Sequence, residues 1–333
     1  MLCRRLALGS LLYLVRIRDP HRLFDAALDG DRTALARAMS VCEAGGGPAE
    51  ALAERCRSFE RRAHVVGITG APGAGKSTLT DQLLKRMAGK PGNAVPIGVL
   101  LVDPSSSVTG GAILGDRVRM ADHTLNDGVF LRSLATRGAH GGLSRVVPDA
   151  VRLLDAVGFS WIVIETVGVG QVELDVAAAA DTAVVVVNPG WGDAVQAQKA
   201  GLIEIADLFV INKADRPGAS AVEADLLTLA ELRSGYEPNA RVYPIVSTVA
   251  LDGTGVDRLW AEIQAHRARA LADGSLAVRR ASRNTLELAA HLRNRFEDSL
   301  ATRLVGQEFA VIAQELAVGN ISLADALDRA AEL

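Results

Sequence analysis

Short runs of aliphatic residues alternate with stretches of helical periodicity through the middle of the chain. The runs are nearly continuous in Val, Ile and Leu, which is typical of strands that are buried on both faces. Such runs cover residues 64–69, 97–103, 129–135, 161–166, 182–188, 208–212 and 242–247. Helical periodicity covers residues 77–88, 144–157, 194–206, 221–232 and 256–270. This alternation predicts an α/β fold with a mostly parallel, doubly wound sheet.

Both ends of the chain lack this alternation. Apolar positions recur at helical spacing from residue 20 to about residue 62, so we expect a helical N-terminal extension over residues 1–62. Residues 63–274 would form the α/β domain, and residues 275–333 a helical C-terminal arm. The arm has apolar stripes that a lone helix would leave in water. They could pack on the chain's own α/β domain or on a second subunit, and we expect an arm that forms a homodimer.

The composition of the chain indicates which kinds of partner it is expected to bind and in which cellular compartment it is expected to act. The 333 residues are 49% hydrophobic and carry a formal net charge of −3, so the chain has no basic field that would hold a nucleic acid. Its three cysteines show no CxxC spacing, which argues against a zinc site or a disulfide framework and favours the cytoplasm. An apolar run over residues 6–15 has about half the length that a membrane span needs. No nucleic-acid or membrane partner is therefore expected.

A glycine-rich segment follows the first predicted strand and precedes a predicted helix. Residues 70–77 read GAPGAGKS, which fits the phosphate-binding pattern GxxxxGK[ST]. Glycines allow successive backbone N–H groups to turn toward phosphate oxygens at a helix N-terminus. The pattern predicts a nucleoside triphosphate site in which Lys76 reaches the β- and γ-phosphates and Ser77 reaches Mg²⁺. The predicted phosphate-binding residues are Gly70, Ala71, Pro72, Gly73, Ala74, Gly75, Lys76, Ser77 and Thr78.

A second motif indicates which base the site prefers. Asn212, Lys213 and Asp215 form an NKxD sequence at the end of a predicted strand, where the ligand crevice of a parallel sheet lies. The Asp215 carboxylate can accept hydrogen bonds from guanine N1–H and N2–H₂, whereas adenine has no such donor pair, so the motif predicts GTP and GDP as ligands. Residues Ser247, Thr248 and Val249 end the next predicted strand, where a backbone contact to guanine O6 is expected.

Carboxylates between these two motifs are candidates for metal binding and hydrolysis. Asp103 and Glu165 each end an apolar strand, so both would face the phosphate-binding loop. Mg²⁺ prefers hard oxygen ligands, and we expect Ser77, Asp103, Asp116 and Glu165 to contribute to its site. Asp116 lies in a glycine-flanked loop that could order around the γ-phosphate and position the attacking water. Lys76 and Asp116 are therefore the predicted catalytic residues.

With these motifs the chain resembles the MeaB/ArgK-type family of P-loop GTPases. The resemblance rests on the loop at 70–77, on VDPSS at 102–106, on TGGAILGD at 109–116, on ETVGVGQ at 165–171 and on NKAD at 212–215. It implies GTP hydrolysis with Mg²⁺ and a homodimer assembled through C-terminal helices. It also implies an adenosylcobalamin-dependent acyl-CoA mutase as partner, similar to methylmalonyl-CoA mutase, whose cofactor delivery the GTPase gates and which it protects.

The same resemblance implies three mobile segments, at residues 116–119, 165–171 and 190–199. The third matches the family's GDxxQxxK stretch, which in the family transmits the nucleotide state to the mutase. The residues expected to couple nucleotide and partner are Arg119, Gln171, Asp193, Gln196 and Lys199. Residues 130–142 and 188–191 look like the ArgK branch, which leaves the identity of the mutase open.

Two other functions are compatible with a phosphate-binding loop. A metal-insertion GTPase should show a histidine-rich tract or a CxxC pair, but the six histidines of this chain are scattered. A phosphotransferase linked to amino-acid transport would use ATP, and the NKxD motif argues against that base. Both remain alternatives to the mutase-associated GTPase.

Overall fold

The computed structural model describes residues 19–88, 95–103, 128–135, 146–166, 172–190, 205–236 and 243–331. Seven strands are described: β1 (His64–Gly70), β2 (Ile97–Asp103), β3 (Val129–Ala135), β4 (Trp161–Thr166), β5 (Thr182–Val187), β6 (Leu208–Asn212) and β7 (Ile245–Thr248). The helices among these residues are α1 (Pro20–Leu28), α2 (Arg32–Ala44), α3 (Gly46–Arg57), α4 (Lys76–Met87), α5 (Val146–Ala156), α6 (Val172–Ala179), α7 (Ala219–Tyr236), α8 (Val256–Ala272), α9 (Ser275–Leu304), α10 (Gln307–Ala317) and α11 (Leu323–Ala331).

The strands form one sheet in the order β3-β2-β4-β1-β5-β6-β7, and every described pair of neighbours is parallel. Strand β1 lies in the middle, between β4 and β5, so the chain winds outward from it in both directions. This confirms the predicted doubly wound α/β fold. The loops that leave β1, β4, β6 and β7 all emerge at the carboxyl edge of the sheet, where ligands bind in such folds.

Helices cover both faces of the sheet, as the apolar strands require. Leu79 and Leu83 of α4 pack with Leu259 of α8 on one face. On the other face, Met39 of α2 and Leu153 of α5 belong to a separate apolar cluster. All five side chains in these positions are almost fully buried, and burial of each aliphatic side chain contributes about 1.5–3 kcal/mol relative to exposure.

Helices α1 to α3 pack together and continue this second face. Helix α2 also lies beside the edge strand β3, because Arg132 of β3 donates to Ser40 Oγ at 3.0 Å and pairs with Glu43. The helix thereby packs on the face of this edge strand that Phe130 and Leu134 also line. The only cysteines among the described residues, Cys42 and Cys56, lie in α2 and α3 as buried free thiols.

The chain divides into two compact units, Met1–Arg280 and Ala281–Leu333. The first contains the sheet and helices α1 to α8 with the beginning of α9. In the second, α10 and α11 form a hairpin in which Arg329 binds Glu315 at 2.5 Å. The domain limits expected from the sequence remain predictions. None of the described helices is long and apolar enough to cross a membrane.

Candidate nucleotide-binding site

The loop between β1 and α4 adopts a backbone that requires glycine at two positions. Gly70 has φ 130°, and a Cβ there would lie 2.0 Å from the carbonyl oxygen of Val186 on β5. Gly75 has φ 90°, and a Cβ there would lie 2.5 Å from Asn212 Nδ2. Because L side chains rarely adopt positive φ, and because both neighbours are fixed, neither position tolerates another residue. The loop is therefore pressed against the ends of β5 and β6.

Lys76 begins α4 directly after this loop and is 7% exposed. Its ammonium group donates to the carbonyl oxygens of Gly70 at 2.7 Å and Ala71 at 3.1 Å. The charge is thus held over the loop at the N-terminus of a helix, where the helix dipole favours anions. This arrangement suits a side chain that binds phosphate.

Ser77 and Glu165 meet across the carboxyl ends of β1 and β4. Ser77 Oγ donates to Glu165 Oε1 at 2.5 Å, and Glu165 is fully buried. The register explains the contact, because Glu165 lies beside Ile68 of β1, shortly before the loop. A hydroxyl and a carboxylate in this position are two hard oxygen donors, which fit the ligand chemistry of Mg²⁺.

Asp103 ends β2 at the same edge of the sheet. Its neighbour Val102 pairs with Thr166 of β4, so the backbone of Asp103 lies near that of Glu165, and the role expected for the Asp103 carboxylate stays a prediction. The other residues expected to act in hydrolysis, metal binding or partner coupling lie outside the described residues. They are Asp116, Arg119, Gln171, Asp193, Gln196 and Lys199.

Asn212 ends β6 and joins three loops. Its amide nitrogen donates to Ala74 O at 2.7 Å in the phosphate-binding loop. Its amide oxygen accepts from Ala250 N at 3.0 Å and from Thr248 Oγ1 at 3.2 Å, both at the end of β7. The side chain is 2% exposed, so in this geometry it positions loops rather than faces solvent.

Lys213 makes a second contact between the end of β6 and the phosphate-binding loop. It is the only described non-glycine residue with positive φ, 58°, and its ammonium group donates to Gly73 O at 2.7 Å. The next residue, Ala214, donates its N–H to Thr248 O at 3.0 Å. The backbone turn leaves Asp215 exposed. Its carboxylate is therefore accessible to hydrogen-bond donors of a nucleotide base.

Ser247, Thr248 and Val249 end β7 beside this turn. Thr248 is buried and Ser247 exposed, and Val249 N donates to Thr254 O at 3.0 Å. Gly255 has φ 78°, and a Cβ there would lie 2.2 Å from Ser247 O. Sequence reasoning missed Ala250 and Gly255, although a Gly-x-Gly pair just after a strand is a signal of close backbone approach.

A family model described as "Methylmalonyl Co-A mutase-associated GTPase MeaB" matches residues 35–304. The chain belongs to the MeaB family. As a member of this GTPase family it is a GTPase that binds guanine nucleotides. The resemblance seen in the motifs is thereby confirmed, and the match spans the whole described sheet.

Relatives of this MeaB-family chain include a protein of Pyrococcus horikoshii that is named as a GTPase. It is 46% identical over 267 residues, which cover 78% of this chain and 82% of the relative. A fused isobutyryl-CoA mutase of Geobacillus kaustophilus is 40% identical over 202 residues, which cover 57% of this chain and 18% of that larger protein. Among solved structures, a LAO/AO transport system kinase aligns with a TM-score of 0.63 at 23% identity, over 94% of this chain and 96% of that one. The last comparison supports the fold.

Proposed function

We propose that this chain hydrolyses GTP with Mg²⁺ and thereby regulates an adenosylcobalamin-dependent acyl-CoA mutase as its chaperone. The contacts of Asn212 are the observation that best supports a nucleotide site, because they join the phosphate-binding loop to the residues at the end of β7. A phosphate site and a base site linked in this way fit one nucleotide. The proposed site comprises residues 70–78, 212–215 and 247–249 with Asp103, Asp116 and Glu165.

The phosphate side of the site would work by fixed positive charge and backbone donors. Lys76 and the N–H groups of residues 70–78 would bind the β- and γ-phosphates. Ser77 and Glu165 would hold Mg²⁺ with the help of Asp103 and Asp116. The metal ion, when bound, neutralises charge on the phosphate oxygens.

Hydrolysis would proceed by in-line attack of water on the γ-phosphate. Lys76 would stabilise the charge that develops on the phosphate oxygens, and Asp116 would orient the water. The sequence supplies no evident arginine finger, so intrinsic turnover should be slow. We infer that a partner or a rearrangement of segments 116–119, 165–171 and 190–199 completes the site.

The mutase partner is inferred from the family and from the fused relatives. The family description names a methylmalonyl-CoA mutase-associated GTPase, and two relatives are named fused isobutyryl-CoA mutases. Fusion keeps a GTPase-like segment and a mutase in one polypeptide, which supports an association between the separate proteins. Gating of cofactor delivery and protection of the mutase would follow from that association, with the protein acting in the cytoplasm.

A homodimer is proposed from an apolar stripe on α9. Leu288, Leu292, Phe296, Leu300 and Leu304 recur every fourth residue and are each 45–74% exposed. Residues four apart are neighbours on a helix surface, so the stripe is continuous and winds gradually around α9. In a homodimer, the stripe of one subunit would pack against the same stripe of the second subunit, since most homodimers have isologous interfaces.

The nucleotide site is tested by hydrolysis assays with GTP and with ATP, with Mg²⁺ and with a chelator. We expect GTP to be hydrolysed only with Mg²⁺ and ATP to be a poor substrate. Lys76→Ala should lower the rate about 100-fold, the cost of removing one preorganised donor to developing charge. Lys85→Ala on the same helix, a lysine paired with Asp81, is the matched control, and a Lys76→Ala enzyme as fast as the parent would refute the phosphate site.

A further inference from the structure

Two aspartates at the amino edge of the sheet, opposite the nucleotide loops, join three strands in series. Asp181 directly precedes β5, and its Oδ2 accepts from Val65 N of β1 at 3.0 Å, while its own N–H donates to Val65 O at 2.8 Å. Asp207 directly precedes β6 and repeats both bonds with Ala183 of β5, at 2.8 and 2.9 Å. Strands β1, β5 and β6 are therefore fastened together by two equivalent side chains.

Two adjacent arginines near the start of α9 bind the same carboxylates. Arg280 Nη2 donates to Asp181 Oδ2 at 2.6 Å and to Ala63 O at 2.7 Å. Arg279 binds Asp207 through both terminal nitrogens, at 2.5 and 2.7 Å, and also donates to Asp181 O at 3.1 Å. Such charge-assisted contacts are among the stronger hydrogen bonds, so the start of α9 is fixed to the same three strands.

A chain of hydrogen bonds leads from Asp207 through His266 and Thr182 to His64. His266 Nε2, on α8, lies 3.2 Å from Asp207 Oδ1, and a carboxylate can only accept, so Nε2 carries the proton. His266 Nδ1 lies 2.7 Å from the hydroxyl oxygen of Thr182. The same hydroxyl oxygen lies 2.7 Å from His64 Nε2. We name Asp181, Asp207, Arg279, Arg280, His64, Thr182 and His266 the amino-edge network.

The charges in this network are settled by burial and by partners. Burial lowers the pKa of His64 to about 3, outweighing the nearby Asp181 carboxylate, so the ring is neutral. Burial opposes ionisation of Asp207, but hydrogen bonds from His266 and Arg279 hold its pKa well below the usual range. The network therefore combines two ion pairs with a neutral histidine, and each buried polar group depends on its neighbours.

The strands joined by the amino-edge network carry the nucleotide loops at their other ends. Strand β1 runs about 20 Å from His64 to the phosphate-binding loop, and β6 ends at Asn212. Strand β5 supplies Val186 O, which accepts from Ala71 N at 3.2 Å. The amino-edge network and the nucleotide loops therefore lie at opposite ends of the same three hydrogen-bonded strands.

We propose that the amino-edge network is a conformational clamp in which attachment of the start of α9 and occupation of the nucleotide site stabilise each other. The inference rests on the proposed nucleotide site. Because coupling between two binding events is reciprocal, nucleotide should strengthen the clamp as much as the clamp strengthens nucleotide binding. Arg279 and Arg280 would act here as positioning residues for the phosphate and guanine loops.

The first test needs no variant. Amide hydrogen exchange is measured on the full chain with and without GDP and Mg²⁺. Global stabilisation by a ligand slows all fully protected amides alike, so Val65 and Ala183 are compared with Val99 in the middle of β2. We expect the two amides in the clamp to slow at least about fivefold more than Val99; equal slowing would overturn the clamp.

The second test uses Arg279, which is more exposed than Arg280 and so less apt to unfold the chain when replaced. Arg279→Gln should weaken GDP binding about fivefold or more, with partial recovery in Arg279→Lys. Arg269→Gln, an exposed arginine on α8, is the control and should bind GDP like the parent. If the parent and Arg279→Gln bind GDP with equal affinity, the clamp is refuted and the nucleotide site stands. If the parent binds no GDP, both the clamp and the nucleotide site are refuted.

Discussion

At the scale of single residues, the motifs in the sequence predict which side chains form the nucleotide site, and the structure adds what those side chains contact. GxxxxGKS and NKxD name Lys76 and Asn212 without any knowledge of the fold. That Asn212 joins Ala74 to Ala250 could not be predicted, because these partners lie 138 and 38 positions away along the chain. Such contacts depend on which strands become neighbours in the sheet.

The contact between Ser77 and Glu165 leads to a prediction about metal binding. Glu165→Gln keeps an oxygen that accepts from Ser77 Oγ but removes the negative charge that, in the proposed site, would attract Mg²⁺. The Mg²⁺ concentration for half-maximal GTP hydrolysis should rise about tenfold or more, since hydrogen-bonded charged groups contribute about 1.5–3 kcal/mol. Thermal unfolding of the metal-free protein should change little; an unchanged Mg²⁺ requirement would remove Glu165 from the metal site.

Asp215 leads to a prediction about base selectivity. Asp215→Ala removes the proposed acceptor for guanine N1–H and N2–H₂, so GTP affinity should fall roughly 10- to 100-fold, while ATP affinity stays the same. Competition between labelled GDP and each nucleotide measures this. Asp225→Ala, which changes an exposed aspartate on α7, is the matched control, and retained selectivity in Asp215→Ala would contradict the assignment.

At the scale of helices and strands, hydrophobic pattern predicted most of the sheet. Strands β2, β3, β4 and β6 have the bounds that the aliphatic runs indicate, because buried parallel strands contain few polar residues. Helix α6 was missed, since its sequence VELDVAAA is short and has no clear polar face. The helix predicted over residues 194–206 lies almost entirely outside the described residues.

Strand β1 begins with a buried histidine, which leads to a prediction about pH. The pKa of His64 is lowered to about 3 by burial, whereas an unfolded histidine titrates near 6.5. Below pH 6.5 the unfolded chain binds a proton that the folded chain excludes, so folding stability falls as the pH falls toward 3. Between pH 6.5 and 5 the loss should approach about 2 kcal/mol.

Urea unfolding at pH 7 and pH 5 measures this loss. The His64→Gln variant should show a smaller difference between the two pH values than the parent. His21→Gln, at an exposed position of α1, should behave like the parent. An unchanged pH dependence in His64→Gln would show that the ring does not remain neutral in the folded protein.

At the scale of the whole molecule, the apolar stripe on α9 leads to a prediction about assembly. Phe296→Glu places a charge in the middle of the stripe, and burying an unpaired charge is costly. The parent should be a dimer by light scattering, and the variant a monomer at micromolar concentration. Glu223→Lys, which reverses an exposed charge on α7 outside the arm, should remain dimeric; a monomeric parent would contradict the proposed arm.

The proposed action of this GTPase on a mutase is tested most directly by the rate of GTP hydrolysis. GTP hydrolysis with Mg²⁺ is measured alone and with the adenosylcobalamin-dependent acyl-CoA mutase encoded in the same genome. We predict that the mutase accelerates hydrolysis about tenfold or more, equivalent to about 1.4 kcal/mol of barrier, and that heat-denatured mutase has no effect. An unchanged rate with a folded mutase would contradict the proposed partner.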